Sequence, residues 1–182
     1  DQPRSRGLGD VYKRQTRYYG TNVLQFNTAA IPANTTRYSP FYVSETATFD
    51  RIGILSGSTF SGSAVVRLGI YSNDNGTPST VVLDAGTVSP TAASTVYQIT
   101  ISQSLSKGWY WLAANSSTAA TTNSYTGISN TQAMHSQLMG QASIASTQNP
   151  SFTESVNVTS GFATASPTLS NQNAYFIGLR KS

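Results

Sequence analysis

Apolar side chains recur at every second residue through the middle of this sequence, and clusters of turn-forming residues punctuate them. Val66, Leu68 and Ile70 fall two apart, as do Tyr97, Ile99 and Ile101, and as do Trp109, Trp111 and Ala113. A spacing of two places side chains on one face of a strand. Asn73-Asp74-Asn75-Gly76 follows the first of these runs with residues that tolerate positive φ, Pro78 fixes the exit, and a further run from Val81 to Leu83 comes at hairpin distance. No helical period appears between Phe49 and Ala114, so this stretch predicts the centre of an antiparallel β-sandwich.

The flanks carry weaker versions of the same pattern. Val23 to Phe26 predicts a short strand, and Arg37 to Val43 a second one interrupted by Pro40. A proline lacks a ladder donor, so that strand is expected at an edge or with a bulge. Ala47 to Leu55 predicts a third strand, with Phe49 and Ile52 on opposite faces because they lie three apart, and Gly57 and Gly62 frame a loop after it. Asn115 to Thr131 is nearly all Ser, Thr, Asn and Ala, with Tyr125 and Ile128 as large anchors, and reads as a long polar loop. Met134 and Leu138 are four apart, which predicts a short helix over 131–139. Phe152 to Val158 and Gly161 to Ala163 are strand candidates, and Tyr175, Ile177 and Leu179 alternate in a closing strand. The sum is an all-β fold: a jelly-roll-like antiparallel β-sandwich of about eight to ten short strands, in one domain over residues 16–182.

Composition sharpens this picture in two ways. Charged residues make up 10% of the 182 positions and hydrophobic ones 38%, a balance that argues against disorder. A surface of hydroxyls and amides suits an extracellular or virion protein, or one whose edges meet identical partners. The formal charge of +4 is concentrated at the start, where Arg4, Arg6, Lys13 and Arg14 lie. That opening includes GLGDVYKRQ, which resembles a translated sequencing-adapter scar, and residues 1–15 are expected to be a non-native or disordered arm, with the native N-terminus missing or displaced. Beyond it, seven basic and five acidic residues leave a net of +2, scattered except for Arg180-Lys181. No basic stripe remains to follow a phosphate backbone, so nucleic acid is not an expected partner. No apolar run approaches a membrane span, and no membrane insertion is expected.

Candidate chemistry is sparse. The acids outside the arm, Glu45, Asp50, Asp74, Asp84 and Glu154, are dispersed, so a carboxylate pair would have to be assembled by the fold. His135 is the one histidine and there is no cysteine, which disfavours a zinc site, and no G-x-S-x-G elbow accompanies the many serines. Asp74 in Asn73-Asp74-Asn75-Gly76 is a weak metal candidate, set against a plain hairpin turn using the same residues. The chain is therefore expected not to be an enzyme and to need no cofactor. Binding has better candidates. Trp109 and Trp111 offer flat faces for sugar rings, although a strand this regular also predicts that they belong to the core. The polar loop offers Tyr125, Asn130, Gln132 and His135 among other donors and acceptors, and loops on a rigid sandwich are where binding concentrates. A loop of this kind could equally pack against a neighbouring subunit. Four N-x-[ST] sequons, at Asn34, Asn75, Asn115 and Asn157, are near chance in so Ser- and Thr-rich a chain and would matter only in a eukaryotic secreted protein.

Arg67-Leu68-Gly69-Ile70-Tyr71-Ser72-Asn73-Asp74-Asn75-Gly76-Thr77-Pro78 is similar to a hairpin seen in β-sandwich domains of tailed-phage virion proteins. Leu83 to Val88, Ile99 to Ile101 and Gly108 to Ala113 extend the resemblance, and Ile177 to Ser182 resembles the close of many such chains. About half of the sequence is covered. The resemblance implies a tail fibre, head fibre or decoration protein located on a virion, homo-trimeric, with a host-surface glycan or neighbouring virion proteins as partner. It transfers no catalytic residues. Two other readings stay open: a structural capsid decoration or cement protein, and a carbohydrate-binding module of a secreted bacterial protein.

Overall fold

The sandwich is assembled around Val66, Leu68 and Ile70, whose side chains are fully buried between two sheets. The structure, a computed structural model, describes residues 17–21, 26–29, 32–119, 123–128 and 151–182. Thirteen strands lie among them. They are β1 (Tyr18–Tyr19), β2 (Phe26–Ala29), β3 (Thr35–Val43), β4 (Ala47–Phe60), β5 (Val66–Asp74), β6 (Thr77–Val88) and β7 (Val96–Leu105). The rest are β8 (Gly108–Ser116), β9 (Asn123–Ile128), β10 (Ser151–Ser155), β11 (Thr168–Ser170), β12 (Ala174–Tyr175) and β13 (Ile177–Lys181). The count exceeds eight to ten because several strands are two or three residues long.

One sheet has the order β11-β10-β3-β8-β5-β6; the other runs β1-β13-β4-β9-β12, with β7 beside β4 and β2 beside β9. All pairings are antiparallel. The chain passes repeatedly from one sheet to the other, so that the two layers are woven together as in jelly-roll-like sandwiches. The core between them takes Phe41 and Val43 from β3, Phe49, Ile52 and Ile54 from β4, Leu112 and Ala114 from β8, and Ile177 and Leu179 from β13, together with Tyr125 and Tyr175. The alternations of β5, β7 and the closing strand are thus realised as the sequence predicts. The hairpin is too: Asp74 pairs with Thr77, and Asn75 and Gly76 carry the turn at φ 48° and 84°, the two-residue geometry whose twist matches the strands.

Phe49 and Ile52 depart from expectation, because both face the core. The cause is a bulge. Arg180 pairs with Arg51 while Lys181 pairs with Phe49, leaving Asp50 as the extra residue of β4. An inserted residue shifts the phase of alternation by one. Gly57 lies within β4, which continues to Phe60, rather than opening a loop. Pro40 meets its prediction locally. β3 is flanked by β8 along Arg37 to Val43, whereas β10 reaches only as far as Tyr38. The Pro40 carbonyl then accepts from the Thr21 hydroxyl at 2.7 Å on the side that β10 leaves.

The expected polar loop is also corrected. β8 continues through Ser116, and Asn123 to Ile128 forms β9, paired with β2, β4 and β12. Its polar side chains are buried with partners. Asn123 Oδ1 accepts from the Ser61 amide, and Ser124 Oγ donates to the Thr59 carbonyl. A strand whose buried positions are Asn and Ser shows no hydrophobic period. Gly161 to Ala163 forms no strand; after a single 3-10 turn at Val158–Ser160 the chain lies as a strap over the outer face of β5 and β6. The helix expected over 131–139 lies outside the described residues.

Candidate functional site

The strap and β10 create a second, smaller core on the outer face of the β3-β8-β5 sheet. Tyr38, Tyr71, Trp111, Ala113 and Phe152 are buried there, with Val81, Phe162 and Ala165 packed on them. Trp111 is fully buried, meets Phe152 edge-on at 5.2 Å, and donates its indole N–H to Asn73 Oδ1 at 2.9 Å. It therefore has no face free for a ligand. The same bond occupies one oxygen of the Asn73–Gly76 turn. Asp74 there accepts from the side-chain Nδ2 of Asn75 at 3.0 Å, and among the described residues no three His, Cys, Asp or Glu side chains gather as metal ligands.

Tyr125 is corrected as a surface contact. It is 1% exposed, edge-on to Phe60 and Tyr175, with its hydroxyl 3.3 Å from Ser116 Oγ. Burial raises its pKa. Asn130, Gln132 and His135 lie outside the described residues.

Trp109 is different. It sits on the same face of β8 as Trp111, but beyond the reach of β10 and the strap, and remains 39% exposed. Directly across the ladder is Tyr42, 45% exposed, and the two rings stack with centroids 5.0 Å apart at a tilt of 50°. The backbones under them are held rigidly: Phe41 and Val43, on the opposite face of β3, are core residues, as is Leu112 of β8. Beside Tyr42 opens a pocket of about 240 Å³, reached between Tyr19, Gly20, Ser44 and Glu45 and floored by Phe41 and Phe49. Lys181 closes one side with its ammonium 2.8 Å from Glu45 Oε1. The pocket is below the roughly 300–1,000 Å³ of drug-sized sites, a scale that suits one small ring or a single substituent. Tyr42 was not among the sequence candidates. It faces Trp109 through the register of β3 against β8, which the sequence pattern of neither strand specifies.

A second depression lies on the outer face of the other sheet. About 290 Å³ in size, it is lined by Tyr18, Phe26, Ile54, Val96 and Phe176. Its wall is almost wholly apolar, without the convergent polar groups that orient a sugar or other polar ligand.

The carboxylates are committed to structure. Asp84 is held by Arg67 at 2.8 and 3.0 Å and by the amides of Phe162 and Gly86. Partial burial pushes its pKa up, but these donors together hold it below the usual range. Asp50 takes a bidentate bond from Arg180 at 2.6 and 2.8 Å, which lowers its pKa. Glu154 accepts from the Tyr38 hydroxyl at 2.7 Å and the Ser166 amide. At the far end of the sandwich Arg37 is buried, bonded to Ser170, its pKa lowered by desolvation. No described helix is long and apolar enough to cross a membrane. In comparisons with known proteins, the chain matches no family model, no curated protein and no solved structure.

Proposed function

We propose that this chain is a non-enzymatic surface module of a phage virion that holds a host-surface glycan against the Trp109–Tyr42 pair. The observation that carries the glycan reading is that pair: two large aromatic rings left half-exposed on strands otherwise buried on both faces. Exposed aromatics on a rigid base bind at little entropic cost, and their planes match the C–H faces of pyranose rings. The adjoining pocket is lined by Glu45, Lys181 and Ser44 as well as Tyr42, a set of donors and acceptors suited to hydroxyls or an N-acetyl group. Engagement of Asp50, Asp84 and Glu154 by cations, amides or a phenol favours binding over catalysis. The virion assignment rests on the resemblance of the Arg67–Pro78 hairpin and its neighbours.

A glycan-array screen of the intact chain and of Trp109→Ala tests the reading. Sugar hits that disappear in the variant are the expected result. A silent array from well-folded protein would overturn it and leave the structural reading, a capsid decoration protein whose partners are other virion chains.

A further inference from the structure

Most edge strands of this sandwich are blunted, and one is not. β1, β2, β11 and β12 are two to four residues long. β6 is long but carries Pro78, Asp84 and three register shifts against β5, the devices by which natural proteins discourage strand addition. β7 has neither charge nor proline over ten residues, VYQITISQSL. Among the described residues it pairs with β4 alone, so its other edge presents a row of unmatched amides and carbonyls. Exposed and half-buried positions alternate without a break from Val96 to Gln103, although the register against β4 slips opposite Asp50. The core-side residues Tyr97, Ile99 and Ile101 are only partly covered, unlike Ile52 and Ile54 on the strand beside them. The seam between the two sheets is thus incompletely closed at this side.

We infer that β7 is an assembly edge, completed by β7 of a second copy of this chain in antiparallel pairing about a two-fold axis. Among the described residues the other edges supply no long, unguarded strand for head-to-tail addition, so the surface on a second copy that matches β7 in length and lack of charge is β7 itself. Isologous pairing of one patch with itself is the commonest closed symmetry. Centred on Thr100, it sets Ile99 opposite Ile101 of the partner subunit and keeps core-side residues on one face, as the period of two requires. The sheet then runs continuously through both copies, and the half-covered isoleucines gain neighbours. The inference does not depend on glycan binding. It departs from the three-fold assembly that the phage resemblance implies.

The test is sedimentation equilibrium of the intact chain across the micromolar range, alongside Thr100→Lys and Thr100→Glu. Thr100 is exposed, so either variant is expected to fold, which circular dichroism and the thermal midpoint check. The wild type is expected at twice the chain mass. Each variant places like charges face to face and is expected to weaken association at least about tenfold. An equimolar mixture of the two restores the dimer, which generic aggregation would not do. A monomeric wild type, a three-chain mass, or a dimer indifferent to Thr100→Lys would overturn the pairing.

Discussion

The ring of Phe162 lies against the backbone of Gly69, so closely that a β-carbon at position 69 would come within 2.6 Å of it and 2.7 Å of the Leu83 carbonyl oxygen. The strap that covers the second core is seated on a strand position with no side chain. Gly69→Ala is therefore expected to destabilise the fold by about 1–3 kcal/mol, the usual cost of overpacking. Phe162→Ala should also destabilise, by loss of packing on Tyr71. The double variant should fall short of the sum, because removing the ring relieves part of the clash. Urea unfolding of the four proteins measures the coupling; strict additivity would mean that the strap does not rest on Gly69.

Asp84 fastens the strap at the same residue, accepting from the backbone amide of Phe162. Its folded pKa is depressed, so its stabilising contribution is fully present above the unfolded value of about 3.9 and is lost as pH falls through the folded value. Asp84→Asn should cost about 1–2 kcal/mol near neutral pH, since it weakens charge-assisted bonds to Arg67 and two amides. The gap between wild type and variant should narrow as the solution is acidified below about pH 4, the unfolded range. A gap that is constant with pH would show that the carboxylate charge contributes nothing there.

The two tryptophans should separate stability from binding. Trp111→Ala removes a fully buried side chain and its bond to Asn73, and about 3–5 kcal/mol of stability is expected to go with it. Trp109→Ala opens no cavity in either core, because its ring packs on Tyr42 at the surface. It should cost no more than about 1 kcal/mol while removing glycan hits. Tyr125→Ala, at a buried core position, should behave like Trp111→Ala. Denaturant midpoints and the array read the two properties independently, and a Trp109→Ala protein that retains its sugar hits would remove the aromatic pair from the site.

The β5–β6 hairpin was legible because Val66, Leu68 and Ile70 are apolar, alternate strictly and end in Asn75-Gly76. β9 was not, because Asn123 and Ser124 are buried by hydrogen bonding rather than by hydrophobicity, and a polar strand reads as a loop. Trp109 and Trp111 were indistinguishable in sequence, being two apart on one strand. What separates them is Phe152 of β10 and the strap over residues 158–166, all more than forty positions away from Trp111. Tyr42 became a partner of Trp109 only through strand register, which no local pattern encodes. Tyr125 was misplaced for the same reason as its strand: its neighbours are polar, yet they lie inside.

The bulge at Asp50 allows a sharper experiment than a point substitution. Arg180 bridges to Asp50 from the neighbouring strand, but both side chains remain in contact with water, 24% and 31% exposed, and pairs open to solvent contribute modestly and are screened by salt. Asp50→Ala should produce a small loss of stability that shrinks further as ionic strength rises. Deleting Asp50 is another matter. The residue sets the phase between Ala47 and Phe49 on one side and Ile52 and Ile54 on the other, all core positions. Without it, Phe49, Arg51 and Ile52 follow one another in regular alternation, so both pairs still face the core and the ladder with β13 closes without a bulge, at the loss of the Arg180 bridge. The deletion is therefore expected to keep the cooperative unfolding transition that Asp50→Ala retains. Circular dichroism during urea titration follows both, and a deletion that loses its cooperative transition would show that β4 needs the extra residue for its ladder with β7, whose register shifts at the same place.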